Sequence, residues 1–128
     1  MTTQYIHVRD SDIVAYIRVR SLGPSPFGFK RTYIITNDKR AIWHTNGDAE
    51  SYCGEVDVES RESAILDMLK AGAVVYVYKF LRPIFKIKFI DLEVEIEVKD
   101  YEGFKKVMPA LYAKMREYFK RHLNVELP

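Results

Sequence analysis

The longest run of strand-forming residues extends from Ala73 to Lys99, and large apolar side chains recur there at every second position. This period of two is typical of strands with one buried face, so the stretch predicts three strands that share an apolar face. Breaks are predicted at Arg82-Pro83, because proline lacks a ladder donor, and at Ile90-Asp91, because the alternation changes parity there. The side chains predicted on the apolar face are Tyr76, Tyr78, Phe80, Phe85, Ile87, Phe89, Leu92, Val94, Ile96 and Val98.

A chain reversal at Ile90-Asp91 would pair the last two of these strands with matching partners. Apolar residues would face apolar ones, and lysines would face glutamates: Phe89 with Leu92, Lys88 with Glu93, Ile87 with Val94, Lys86 with Glu95, and Phe85 with Ile96. Burying one large apolar side chain stabilises by roughly 1.5 to 3 kcal/mol and a cross-strand charge pair by roughly 0.2 to 1, so the charges mainly select register. A tight turn usually requires positive φ, which the β-branched Ile90 resists, so a four-residue loop or a bulged long strand is the alternative.

The N-terminal half predicts four strands and one ambiguous segment. Their common signal is alternation of apolar and polar residues between turn-forming clusters. The predicted strands cover 4–9, 13–20, 30–36 and 40–45, with a further short strand near 55–58. The first two are predicted to pair through a turn at 10–12, the next two through Asn37-Asp38, and Asn46-Gly47-Asp48 is another turn signal. Residues 21–29 contain two glycines and two prolines and are predicted to form a long loop.

Two helices are predicted, at about 60–71 and 104–122. Ser60 is the predicted N-cap of the first, and Gly72 is expected to end it in the left-handed conformation. The second has apolar residues at spacings of three and four, and Pro109 either begins it or kinks its first turn. These elements predict an α+β fold, in which a mainly antiparallel sheet of about six or seven strands carries both helices on one face.

Composition narrows the class of protein. A chain of 128 residues with 48% hydrophobic and 13% aromatic residues is expected to form one domain, 1–128, with a real core. No run approaches the roughly 18 apolar residues of a membrane span, and the N-terminus has no apolar signal core, so a cytoplasmic protein without membrane contact is expected. The abundance of Ile, Val, Lys and Glu over Asn and Gln favours a thermophilic source. Cys53 and the three histidines show no metal-ligand spacing, so neither a metal nor another cofactor is predicted.

The net charge of +2 hides strong segmentation along the chain. Residues 73–90 contain four basic residues and no acid, and residues 91–103 contain six acids and one lysine. Residues 104–128 contain six basic residues and two acids. Blocks of opposite sign either neutralise one another between neighbouring strands or leave an excess that faces a partner.

The function predicted first is a non-enzymatic module that binds nucleic acid. Aromatic residues of the loop interleave with cations, a mixture suited to stacking on bases while neutralising phosphates, and the C-terminal helix adds further cations. Those helix cations also fit an ordinary solvated helix face. The predicted nucleic-acid-binding residues are Phe27, Phe29, Lys30, Arg31, Lys106, Lys114, Arg116, Lys120 and Arg121.

The second hypothesis is a module that binds a protein partner or a second copy of itself through a sheet edge. The run from Val74 to Leu81 would be an aggregation hazard at an exposed edge, so this hypothesis places it centrally or under a partner.

The third hypothesis is an enzyme. Glu97-Val98-Lys99 resembles the acid-x-lysine half-motif of restriction-endonuclease-like nucleases, in which acids bind a divalent metal and the lysine stabilises charge at phosphate. The resemblance implies catalytic roles for Glu97 and Lys99 and also requires a nearby aspartate, for which Asp91 is the only upstream candidate. A hairpin would hold Asp91 at the turn, away from Glu97, so a non-enzymatic function is favoured.

Overall fold

The computed structural model of the chain describes residues 8–22, 30–45 and 53–128, which form one seven-stranded sheet and three α-helices. Every strand pairing is antiparallel, and the strand order is β4-β3-β2-β1-β7-β6-β5. The strands are β1 Ile13–Ser21, β2 Lys30–Thr36, β3 Arg40–Thr45, β4 Cys53–Asp57, β5 Val74–Lys79, β6 Pro83–Phe89 and β7 Leu92–Val98. The helices are α1 Val58–Lys70, α2 Tyr101–Val107 and α3 Pro109–Leu123. The predicted α+β class is confirmed.

One face of the sheet, the core face, packs against the helices. Cross-strand neighbours Ile17, Ile96 and Phe85 are fully buried there, in one cluster with Phe104 of α2 and Phe119 of α3. The predicted apolar stripe of the C-terminal helices is therefore the face that meets the sheet. None of the helices in the described ranges has the length and apolar composition needed to cross a lipid bilayer.

The hairpin between β6 and β7 forms in the predicted register. Phe89 faces Leu92, Lys88 faces Glu93, and the remaining three pairs follow as expected. Ile90 takes the positive φ of 56° that it should resist. Burial of the matched apolar pairs therefore outweighs the local strain of one β-branched residue.

Replacing Ile90 by asparagine is expected to raise the free energy of unfolding by about 1 kcal/mol, because asparagine tolerates the left-handed conformation that costs other residues roughly 1 to 2 kcal/mol. Ile90 is 83% exposed, so little burial is lost. Urea denaturation measures the gain, provided that the dependence of the unfolding free energy on urea concentration is the same in both proteins. Ile90→Val keeps the β-branch and should leave stability unchanged. An equal gain from both variants would show that backbone strain is not the cause.

The predicted inward face of β5 is wrong. Tyr76 and Tyr78 are 48% and 40% exposed, and Phe80 in the following turn is 88% exposed. Val75 and Val77 face the core instead, because β5 pairs with β6 so that they lie opposite the buried Ile87 and Phe85. The residues on both faces of this strand are largely apolar, so the register with β6 determines which face is buried.

The predicted pairing of segments 4–9 and 13–20 is also wrong. Strand β1 pairs with β2 on one side and with β7 on the other, so neither of its edges is available to an earlier segment. Val8 and Arg9 are not in a strand, and residues 10–12 form a 3₁₀ turn. Residues 4–7 and the turn signal at 46–48 lie outside the described residues. The pairing of β1 with β7 is favoured because apolar residues face apolar residues and arginines face glutamates at alternating positions.

The helices begin at positions different from the predicted ones, because other residues cap their N-termini. Asp57, not Ser60, caps α1, because its carboxylate accepts a hydrogen bond from the Ser60 backbone N–H. Gly72 follows the helix at φ 91°, as predicted. The C-terminal helix is divided in two at Met108, and Pro109 occupies the first position of α3, where its missing N–H costs nothing.

Asp100 caps α2 by accepting a hydrogen bond from the Gly103 backbone N–H, so this helix begins earlier than predicted. A Cβ at Gly103 would lie 2.5 Å from a methyl group of Val14, so only glycine allows α2 to approach β1 this closely.

Candidate functional site

The first candidate surface is the sheet edge formed by β5. Strand β5 ends the sheet, and its outer edge has no strand partner among the described residues. Along it Val74, Tyr76 and Tyr78 are 53%, 48% and 40% exposed, and Phe80 and Leu81 beyond it are each 88% exposed. We call Val74–Lys79 with Phe80 and Leu81 the β5 edge. It combines an unpaired backbone ladder with contiguous exposed apolar side chains, the two features of a surface prone to pairing.

Strand β5 is fixed in position by contacts with the core and with α3. Val75 and Val77 are half-buried against the core, and α3 packs on β5. The Tyr78 hydroxyl donates a hydrogen bond to Glu95 at 3.3 Å, and the Lys86 ammonium lies 5.7 Å from the centre of the Tyr78 ring. The edge is therefore a preformed surface that needs little rearrangement to receive a strand.

The opposite edge of the sheet, β4, has a different chemistry. It is five residues long and includes Glu55 and Asp57. The Arg40 guanidinium on β3 donates to Glu55 at 2.5 Å, and this hydrogen bond raises the pKa of Arg40, with burial opposing it. Charged, short edge strands resist pairing, so the two edges of this sheet are not equivalent.

The second candidate surface is the face of the sheet opposite the core, the charged face. On it Arg18 lies 2.9 Å from Glu97 and 3.8 Å from Glu95, and Arg20 lies 2.9 Å from Glu93. The acidic residues of β7 are thus paired with arginines of the neighbouring strand β1, which lie outside the basic blocks of the sequence. The sequence did not reveal the ion-pairing roles of Arg18 and Arg20, because their partners lie more than 70 positions away.

Lys86 joins this network from β6, 3.4 Å from Glu93. Partial burial acts to lower the pKa of Lys86, but the charge of Glu93, followed by Tyr78 and a hydrogen bond to Glu93, outweighs it, and the pKa is raised. A raised lysine pKa stabilises the fold below the unfolded-state pKa, and that stabilisation is lost as pH rises through the folded-state pKa. The ion pair therefore persists through the neutral range.

An open cavity of about 410 Å³ lies on the charged face and extends across β2, β1, β7 and β6. Five cations and two carboxylates are among its lining residues. The lining is Arg18, Val19, Arg20, Lys30, Arg31, Thr32, Lys86, Glu93 and Glu95. The Arg31 guanidinium lies over core-side rings, but the four other cations still outnumber the two carboxylates, so this part of the charged face keeps a positive excess.

The predicted cations of the C-terminal helix are largely paired within the chain. Lys120 lies 2.9 Å and Arg116 3.8 Å from Glu126, while Arg121 lies 2.7 Å and Lys114 3.8 Å from Glu117. The hydrogen bond from Lys120, aided by its charge and that of Arg116 and opposed by burial, lowers the pKa of Glu126. That contribution to stability is present above the unfolded-state pKa and is lost as pH falls through the folded-state one. Lys106 of α2 is exposed.

The predicted nucleic-acid-binding residues are not brought onto one surface. Lys30 begins β2 opposite Arg20 and lies on the charged face, whereas the helices cover the core face. The Arg31 guanidinium lies 4.1 Å from the ring centre of Trp43 on β3. Phe27 and Phe29 lie outside the described residues. Successive residues of a strand point to opposite faces, so Lys30 lies on the charged face while Arg31 stacks against core-side aromatic rings. The two cations at the start of β2 are therefore separated from each other.

The residues of the nuclease hypothesis are also separated. Asp91 lies in the β6–β7 turn, before β7, and Glu97 lies near the other end of that strand. The residue Glu97 is 9% exposed, and its carboxylate pairs with Arg18 at 2.9 Å and with Arg82 at 2.6 Å. The Lys99 ammonium lies 5.6 Å from the Tyr16 ring centre. Within 8–22, 30–45 and 53–128, no cluster of three or more His, Cys, Asp and Glu side chains is arranged to hold a metal ion.

The β5 edge thus remains the most distinctive surface of the described residues, with the cationic cavity second. Sequence reasoning named the β5 run as an edge hazard but placed its tyrosines in the core. Compared with protein-family models, with curated proteins and with solved structures, the chain shows no match.

Proposed function

We propose that this protein is a non-enzymatic binding module that self-associates by pairing β5 with β5 of a second copy. One observation carries the proposal: a regular edge strand exposes valine and tyrosine side chains along its length, and its following turn exposes Phe80 and Leu81 at 88% each. Soluble monomers seldom leave a contiguous apolar patch beside an unpaired ladder, because such an edge recruits another strand.

A second copy suits this edge because β5 is complementary to itself. In an antiparallel register centred on Tyr76, Val74 faces Tyr78 of the second copy and Val75 faces Val77. Such aromatic and β-branched cross-strand pairs contribute roughly 0.2 to 1 kcal/mol each. The contact is two-fold symmetric, so each favourable pair occurs twice.

Charge also favours a second copy over a charged partner. Strand β5 contains no acid and a single cation, Lys79, at its end. In the register centred on Tyr76, Lys79 would lie opposite Ala73 of the second copy, so no like charges face each other. A strongly charged partner would find one cation, Lys79, and no acid along the strand.

Self-association is proposed ahead of nucleic-acid binding because of the helix ion pairs. A nucleic acid bound along α3 would have to compete with Glu117 and Glu126 for the same cations. Such competition reduces the counterion release that drives phosphate binding.

Sedimentation measured over a range of protein concentrations tests the proposal. We expect a reversible change from the mass of one chain to the mass of two, with little dependence on salt, because Lys79, at the end of β5, is the one charged residue of the pairing strand. A single-chain mass at every concentration would contradict the proposal, as would association that weakens steeply with added salt.

A further inference from the structure

The cationic cavity on the charged face lies beside the proposed pairing edge but does not include β5. Its volume of about 410 Å³ falls within the range of about 300 to 1,000 Å³ that is usual for small-molecule sites. It therefore has the size of a ligand site, and its occupant does not depend on self-association.

The charges around the cavity are unevenly matched. Glu93 is shared between Arg20 at 2.9 Å and Lys86 at 3.4 Å, and Arg18 lies 3.8 Å from Glu95. Lys30 is exposed and forms no ion pair within the described residues, although it lies directly across from Arg20. Like charges facing each other across two strands destabilise a sheet. Glu93 offsets the charge of Arg20, so Lys30 is the cation that a bound anion would neutralise.

We propose that this cavity binds the phosphate group of a small phosphorylated ligand. Phosphate oxygens accept several hydrogen bonds at once and favour arginine and lysine donors. Lys30 would contribute a point charge from β2, and Arg20, whose Nε and Nη2 bind Glu93, would contribute its remaining Nη1 donors from β1. Thr32, which also lines the cavity, offers a hydroxyl donor.

Inorganic pyrophosphate, titrated calorimetrically into the protein at low salt, is the probe. We expect Lys30→Gln to weaken its binding about tenfold or more, the usual size of a lost hydrogen bond to a charged group. Lys106→Gln is the matched control, because it removes one charge from another exposed lysine on α2 and should leave the affinity unchanged.

Glu95→Gln provides a variant of opposite sign. It keeps the shape of the side chain but removes a negative charge from the cavity lining, so pyrophosphate should bind more tightly. If Glu95 only supported the local structure, Glu95→Gln would not increase the affinity for pyrophosphate.

Three results would overturn the proposal. They are absence of pyrophosphate binding, an equal loss with Lys106→Gln, and tighter binding of a single-stranded oligonucleotide lacking terminal phosphates than of pyrophosphate. The last result would assign the cations to a nucleic-acid backbone instead of a small ligand.

Discussion

The double variant Tyr76→Lys/Tyr78→Lys is expected to sediment as a single chain at concentrations at which the parent protein forms pairs. The substitutions remove both aromatic side chains from the β5 edge and place lysine opposite lysine at the centre of the symmetric contact. Edge lysines are a common means by which proteins prevent strand pairing. We expect the dissociation constant to rise about a hundredfold or more, because tyrosines at the centre of an interface often dominate its energy.

The control for this variant adds the same two charges elsewhere. Val56→Lys/Ile90→Lys changes one exposed apolar residue on the opposite edge and one in the β6–β7 turn, 36% and 83% exposed. It should leave self-association intact. Equal dissociation of the two variants would show that added charge, not the β5 edge, is responsible, and persistence of pairs in the tyrosine variant would contradict the proposed interface.

Replacing Phe85 by alanine is expected to lower the free energy of unfolding by about 3 to 5 kcal/mol, the usual cost of truncating a buried phenylalanine. Phe85 is completely buried on β6. Its ring centre lies 5.7 Å from that of Tyr118 in an edge-on arrangement and 6.4 Å from that of Phe119, so it joins the sheet to α3. Urea denaturation in dilute solution measures the loss.

Phe80→Ala is the matched control, since it removes the same side chain from a position that is 88% exposed. Exposed substitutions usually change stability by no more than about 0.5 kcal/mol. A similar loss from both variants would mean that the sheet and α3 are not joined through Phe85 as described.

Pair-by-pair matching made the β6–β7 hairpin predictable from sequence. Five successive positions match in kind when the chain reverses at Ile90-Asp91, and a shift by one residue would turn every apolar side chain to the other face. The same signal was absent from β5, whose valines and tyrosines are apolar on both faces. The valines are buried because of the register in which β5 pairs with β6, and this register is a property of the tertiary structure.

The centre of the sheet was not predictable from local pattern. Strand β1 pairs with β7, whose partner positions follow it by more than 70 residues, as in Arg20 with Glu93. Local alternation favoured a nearby hairpin instead, because adjacent strands usually pair. The cationic cavity escaped sequence reasoning for the same reason, since β2, β1, β7 and β6 meet only in the folded sheet.

Hydrogen exchange measured at increasing protein concentration tests pairing through β5 most directly. The account predicts that the amides of residues 74–79 exchange more slowly as pairs form, while those of residues 53–57 on the other edge strand do not change. Unchanged exchange in β5 while the protein associates, or new protection confined to β4 or α3, would contradict it.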